Sequence, residues 1–277
     1  MATTVFNPDA YRARIHWLGT ISCNETGLAE LHHGQLYNIP FENFEVLLHG
    51  SISLEPQKII EKLVHGRRGG YCFELNGLFL MALQAFGFHA RPLLARVHRD
   101  GMVMGRGHQI SLVELQGRQW VCDVGFGGPH LPLPLPLELN RVESVNGESF
   151  RLVEAAPYGT MLQLKEKDVW QDLYSFDLDY VCPGDIKYAN YYTSTHPDSF
   201  FTFSRVAAIA LPEGRFSLYN HTLRQKERGV EQVREVAPGS DYMKVLQEYF
   251  GIELGIPYAA LPPIREKGGV QQNCIGF

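Results

Sequence analysis

Near Arg91 the hydrophobic period of this 277-residue chain changes, and that change excludes most of the folds otherwise open to it. Upstream, apolar side chains recur three to four residues apart, the spacing that lays an apolar stripe along a helix. Asn7-Pro8 reads as an N-cap followed by the proline favoured at the first helical position; Tyr11, Ile15 and Leu18 share a face, and Gly19 stops the run. A second helix is expected from about Thr26, with Leu28, Leu31 and Leu36 apolar, ending before Pro40. A third runs from about Pro56 through Ile59, Ile60, Leu63 and Val64 to Gly66, and a fourth spaces Leu75, Leu78, Phe79, Ala82 and Phe86 before Gly87.

Downstream the period is two. "LLARVH", "HQISLVEL", "RQWVCDVG", "SFRLVEA", "TMLQLKE" and "DVWQDLYSFDL" are short alternating runs between turn residues, the pattern of an antiparallel sheet or barrel. "LPLPLPLEL" (131–139) alternates too, but its prolines lack the amide donors of a central strand, so it is a loop or an extended edge. "FTFSRVAAIAL" and "RFSLYNHTLRQ" read as further hairpin strands, followed by a helix from about Ser240 to Phe250. Helices, then strands, then strands with a helix make an α+β chain divided near residues 88 and 200. At 45 % hydrophobic residues it can bury one large core or two to three small ones.

Several classes of function are set aside. No apolar run approaches the ~18 residues of a membrane span, and "MATTVFNPDAYRARIHWLG" has charges and a proline where a secretory leader would be apolar, so a cytoplasmic location is expected. The five cysteines (23, 72, 122, 182 and 274) are odd in number, scattered and without CxxC, which predicts reduced thiols rather than a disulfide framework or a zinc ribbon. A formal charge of -5 with no basic block argues against nucleic acid or an anionic membrane as partner. GxSxG, HExxH, P-loop and GxGxxG patterns are absent, and His32-His33 has no histidine one turn away, so no metal site is expected.

The chemistry concentrates in "RRGGYCFELNG" (67–77), where Cys72 follows a double glycine at the first turn of the fourth helix. Gly69 and Gly70 let another molecule approach a helix start whose unpaired N–H groups favour a thiolate. The helix dipole contributes only about 0.3–1 kcal/mol, against about 1.4 kcal/mol for one pKa unit, so a cationic partner is required. His108 is the candidate, because it opens a strand continued inward by Ile110 and Leu112. If "ELQGRQ" is the turn, the next strand brings Asp123 opposite or diagonal to His108 on the same face. The carboxylate would fix the imidazole tautomer and the free nitrogen would hold the thiolate. Cys122 alternates away. Plainer readings stand beside these: a lone cysteine is usually core, a histidine at a strand start a satisfied polar residue, and an aspartate before "VGFGG" a turn cap.

"IPFEN" (39–43), "RRGGYCFELNGLF" (67–79), "GHQISLVEL" (107–115), "DVGFGG" (123–128) and "YTSTHPDS" (192–199) together resemble the arylamine N-acetyltransferases of bacteria, in register through most of the chain. The resemblance implies a helical bundle (1–88), a central antiparallel β-barrel (89–200) and an α/β lid (201–277), a cysteine-protease-like core with a Cys-His-Asp triad falling on Cys72, His108 and Asp123. It also implies that Phe41, Val97, Phe126 and Phe203 lie near the acceptor, that a cofactor's pantetheine or phosphates approach the backbone at Gly127 and Gly128, where a simple tight turn is the plainer reading, and that Glu42 pairs with Arg67 or Arg68 to hold the cysteine loop. The implied reaction is acetyl transfer from acetyl-CoA, a cosubstrate rather than a bound cofactor, to arylamines, arylhydroxylamines or hydrazines through an acetyl-cysteine, by a monomer or weak homo-oligomer. Gly107 departs from relatives that carry a small hydroxyl residue before the histidine. Alternatives are an amide-forming acyltransferase of natural-product assembly, a papain-like or transglutaminase-type hydrolase, and a non-catalytic module in which Cys72 is a buried thiol.

Overall fold

The segments of helical period do fold as helices, with one early stop. The computed structural model describes residues 6–99 and 102–265. Helix α1 (Pro8–Arg14) is capped by Asn7, whose side chain accepts from the N–H groups of Asp9 and Ala10. It ends a turn before Gly19: Ile15 is the C-cap, His16 takes a positive φ of 55°, and Leu18 is left 99 % exposed rather than on the buried face expected for it. Helix α2 (Glu25–Asn38) starts at an Asn24 cap. A six-residue helix α3 (Phe44–His49) is too short to register as a period. Helix α4 (Pro56–Ile60) continues into a π turn (Glu61–His65). Helix α5 (Cys72–Ala85) ends at Gly87, whose φ of +87° suits a residue without Cβ.

The alternating segments form two antiparallel sheets. The first is a curved, nearly closed barrel of β2 (His89–Arg99), β3 (Met102–Val103), β4 (His108–Leu115), β5 (Arg118–Cys122), β6 (Leu135–Pro136), β7 (Val142–Val145), β8 (Glu148–Glu154), β9 (Thr160–Glu166) and β10 (Val169–Phe176). Its order is β6-β5-β4-β2-β10-β9-β8-β7, with β3 paired to β2. The proline-rich run contributes only the edge strand β6, because it cannot donate to neighbours on both sides. Helix α6 (Pro183–Thr195) follows the barrel. The second sheet, ordered β1-β11-β12-β13-β14, is built of β1 (Phe41–Glu42), β11 (Val206–Leu211), β12 (Gly214–Tyr219), β13 (Thr222–Glu227) and β14 (Val230–Glu235), with α7 (Ser240–Phe250) beside β11. Strand β1 comes from the helical third of the chain and pairs Phe41 with Ala208, so the first and last segments share a sheet.

Three apolar clusters hold these layers together. One joins the helices through Tyr11, Leu28, Leu63, Leu78 and Phe79. A second fills the barrel with Leu93, Ile110, Val121, Phe150 and Phe176, and a third packs α7 onto the second sheet through Tyr242, Leu246 and Phe250. Strands β4 and β5 serve two clusters by alternation. Leu112 and Val121 face the barrel interior, whereas Val113 and Cys122 face α5. Each fully buried Leu or Phe stabilises this packing by roughly 1.5–3 kcal/mol. The result fixes the start of α5 against the start of β4.

Candidate active site

The start of α5 is tied down from several directions. Arg68 donates Nε and Nη2 to Glu42 Oε1 at 2.9 and 2.6 Å, while Glu42 Oε2 accepts the Phe44 N–H at 2.8 Å. Glu42 has no exposed surface. The partner is therefore Arg68; Arg67 is exposed and adopts a positive φ of 50°. Lys62 Nζ reaches Glu74 Oε1 at 2.7 Å, and Glu74 Oε2 accepts the Tyr71 N–H at 3.1 Å. The N–H groups of Cys72 and Phe73 come before the first helical donor, the Glu74 N–H on Tyr71 O, and so make no bond within the helix.

Cys72, His108 and Asp123 come together at this point, all buried. In the β4–β5 hairpin Ser111 faces Cys122, which sets Asp123 diagonally across from His108, as the turn placement predicts. His108 Nε2 donates to Asp123 Oδ2 at 2.7 Å, and the ring also meets the Cys72 thiol, leaving Nδ1 for the sulfur. The thiol lies 3.8 Å from the Gly107 carbonyl. Burial alone would lower the imidazole pKa; the Asp123 carboxylate and then the Cys72 sulfur more than offset it and push it up to about 10. Burial likewise opposes the Asp123 charge, but the imidazolium, the Asn76 amide and the Gly125 N–H hold its carboxyl below the usual range. An imidazolium–carboxylate pair results at neutral pH.

Asn76, Gly125 and Tyr174 were not singled out from the sequence. Asn76 sits one helical turn after Cys72, donates Nδ2 to Asp123 Oδ1 (2.9 Å) and Gln109 O (2.7 Å), and accepts the Val124 N–H at 3.1 Å. The signal was present: an amide at i+4 from the thiol shares its helix face. A Cβ on Gly125 would lie 2.8 Å from Asn76 Nδ2 and 3.2 Å from Cys72 Cα, so only glycine lets the aspartate turn close on the helix. Tyr174 packs on His108 and Phe126 at 5.2 Å between ring centroids, a barrel position that alternation alone marks only as core.

The remaining predicted residues divide. Phe126 stands edge-on to His108 at 5.2 Å. Val97 pairs with Tyr174 and therefore faces the same side of the sheet. Phe41, Phe126, Gly127 and Gly128 line a narrow crevice with His130 and Val124, whose open volume of about 20 Å³ is close to that of one water. Gly127 has a φ of +80°, and a Cβ there would run into the Phe41 ring at 2.8 Å, so the turn geometry explains this glycine fully. Phe203 is buried, and the Asn43 amide holds its neighbourhood by donating to Phe201 O and Ser204 O. Cys122 is a packing thiol whose pKa burial drives upward, Cys23 is exposed and Cys182 precedes α6, while Cys274 lies outside the described residues. Among the described residues no group of three or more His, Cys, Asp and Glu side chains is placed to hold a metal, and no helix is long and apolar enough to cross a membrane. His32 packs edge-on against Phe79, and burial pushes its pKa down to about 3.

Nucleophilic acyl transfer through a cysteine is the chemistry for which this geometry is equipped. The family model described as N-acetyltransferase matches residues 26–259, and the chain belongs to the arylamine N-acetyltransferase family. It is 37 % identical over 247 residues to the arylamine N-acetyltransferase of Escherichia coli (strain K12), covering 87 % of each chain. The solved arylamine N-acetyltransferase from Salmonella typhimurium superposes with a TM-score of 0.86 at 32 % identity, over 94 % of this chain and 97 % of that one. The Mycobacterium marinum arylamine N-acetyltransferase in complex with CoA gives 0.84 at 30 % identity, over 89 % and 93 %. The expected α+β architecture of bundle, barrel and second sheet is thereby the observed one, and the natural-product acyltransferase, hydrolase and binding-module readings are not favoured.

Proposed function

We propose that this enzyme transfers an acetyl group from acetyl-CoA to an arylamine, arylhydroxylamine or hydrazine by a ping-pong route through acetyl-Cys72. The observation that carries it is the buried His108 set between the Cys72 thiol and the Asp123 carboxylate. In the first half-reaction the Cys72 sulfur attacks the thioester carbonyl, a new C–S bond forms, the bond to CoA breaks, and the departing CoA sulfur takes the proton held on His108. One sulfur leaving group replaces another, so the acetyl-enzyme keeps its reactivity. The free N–H groups of Cys72 and Phe73 stabilise the oxyanion. In the second half-reaction the neutral aryl nitrogen attacks the acetyl carbon, the C–N bond forms, the C–S bond breaks, and His108 takes the proton from nitrogen.

Phe126 and Val97 border the acceptor beside the imidazole, with Phe41 and Phe203 further along the wall. The Gly127-Gly128 turn is where the pantetheine chain approaches. We divide the chain into a bundle (1–88), a barrel (89–200) and a lid (201–277). A cytoplasmic location suits an enzyme that draws on acetyl-CoA and needs a reduced thiol, and a monomer or weak homo-oligomer is the working assembly. Initial rates with acetyl-CoA varied at several fixed aniline concentrations test the route. Parallel double-reciprocal lines are expected; lines that intersect would mean that no acetyl-enzyme precedes the amine.

A further inference from the structure

Tyr71, the residue directly before the thiol, has no exposed surface, and its phenol reaches out of the helical bundle. Its hydroxyl donates to the side-chain oxygen of Asn190 on α6. Asn190 is itself held: its Nδ2 donates to Ile52 O at 3.0 Å, and its main-chain carbonyl accepts from Ser194 Oγ at 2.8 Å. The Tyr71 ring is closed in by Phe73 at 5.6 Å and Phe201 at 5.9 Å, and its hydroxyl also meets the Ser194 side chain on α6. One turn further along α6, Thr193 Oγ1 lies 3.5 Å from where a Cβ of Gly107 would stand, next to His108. A single helix thus touches the residue before the nucleophile and the residue before the imidazole.

We propose that Asn190 is a positioning residue for the first half-reaction, acting through the Tyr71 phenol to aim the Cys72 sulfur at His108. The N-cap residue sets the direction in which the first helical N–H groups and the Cys72 side chain leave the backbone. Main-chain bonds fix one side of this residue, through Glu74 and through the Gly70 carbonyl that accepts the Glu42 N–H at 2.9 Å. The phenol, held on α6 by Asn190 and Ser194, fixes the other. Without the Asn190 acceptor the buried hydroxyl must shift toward Ser194 to satisfy itself, and a turn of Tyr71 at the N-cap turns Cys72 with it.

The proposal rests on Cys72 being the residue acetylated, and the test separates the two claims. Wild type, Asn190→Ala, Tyr71→Phe and the double variant are compared below their melting temperatures. Two quantities are read: the single-turnover rate of enzyme acetylation by acetyl-CoA, and the pH profile of iodoacetamide alkylation at Cys72. Each single variant is expected to lose about tenfold in acetylation rate, with an altered alkylation profile, and the double variant to be no worse than Tyr71→Phe, because that variant already removes the contact that Asn190→Ala breaks. A purely structural Asn190 would lower the melting temperature and leave both readouts unchanged in the folded protein, which overturns the proposal. Losses that multiply in the double variant also overturn it, since the two side chains would then act separately. Should Asn190→Ala fail to fold, Tyr71→Phe, which keeps the ring, still decides through the same two readouts. Wild type left unacetylated would instead strike at the assignment of Cys72.

Discussion

The two ends of strand β4 each take part in a histidine–carboxylate pair, His108 with Asp123 after β5 at one end and Glu114 with His89 of β2 at the other, in opposite settings. At one end His108 and Asp123 lie 2.7 Å apart, 3 % and 0 % exposed. At the other, His89 Nδ1 and Glu114 Oε2 lie 2.9 Å apart, 80 % and 50 % exposed. The exposed pair borders the roomier opening, a groove of about 630 Å³ lined by His89, Glu114, Arg118 and Glu138; the crevice of about 20 Å³ near the buried pair is lined by its neighbours Val124 and Phe126. Distance and room therefore do not distinguish the site from its counterpart. Removal from water does, because an ion pair at 4 Å is worth about 1 kcal/mol in water and several times that where water is excluded. The buried end also has a thiol in contact and an amide, Asn76, that keeps the carboxylate in place.

Asp123→Asn should break the buried end most severely. An amide cannot hold the imidazolium, so acetylation by acetyl-CoA should fall on the order of 10³-fold or more, with a parallel fall in iodoacetamide alkylation of Cys72. Unchanged rates in a folded variant would make Asp123 a turn residue only. The pH dependence of stability carries the same information. His108 is raised, so its contribution is complete below its ordinary value of 6.5 and vanishes as pH climbs through about 10. Asp123 is lowered, so its contribution is present above its ordinary 3.8 and disappears as pH falls through its depressed value. Between pH 7 and 10 the wild-type melting temperature should accordingly drop by more than that of Asp123→Asn; equal drops would remove the charge pair from the account.

Next in size is Glu42→Gln. This breaks the buried pair with Arg68 and should cost about 3–5 kcal/mol in chemical unfolding, because the guanidinium keeps its charge and loses its counterion. A loss below ~1 kcal/mol would class the pair with exposed ones. Phe126→Ala follows. Removing an aryl face worth roughly 1–3 kcal/mol should reduce kcat/KM for an aniline by about 10–100-fold while the rate of enzyme acetylation changes much less. Equal losses in both half-reactions would mean that Phe126 shapes the triad through its contact with His108. The smallest effect belongs to the exposed end. Glu114→Gln should change stability by at most about 1 kcal/mol and acetylation not at all, and a marked loss of acetylation would show that the two ends are coupled.

Reading the sequence works where physics is periodic and fails where it is particular. The alternation of "HQISLVEL" gives β4 its bounds, and the turn after it is enough to set Asp123 diagonal to His108. The last helix is found at Ser240–Phe250 because Tyr242, Leu246 and Phe250 repeat at helical spacing. Helix α6 escapes the same reading, since Tyr188, Tyr191 and Tyr192 put aromatic rings on its exposed face and blur the stripe. Leu18 shows the converse: the stripe continues past α1 in sequence, but the backbone leaves the helix at Ile15. The thiol and imidazole announce themselves by their chemistry. Asn76 and Asn190 do not, because what matters in an amide is the partner it meets, and that depends on how α5, β5 and α6 pack.

The central claim is that contact with the buried His108–Asp123 pair, and not burial alone, makes Cys72 the thiol that takes the acetyl group. Acetyl-CoA is mixed with the enzyme in the absence of any amine, followed by intact-mass and peptide mass spectrometry, and then an aniline is added. One acetyl group on Cys72, lost to the aniline as the acetanilide appears, is the result expected. No acetyl group under native conditions, or one found on exposed Cys23 or on Cys122 instead, would contradict the account.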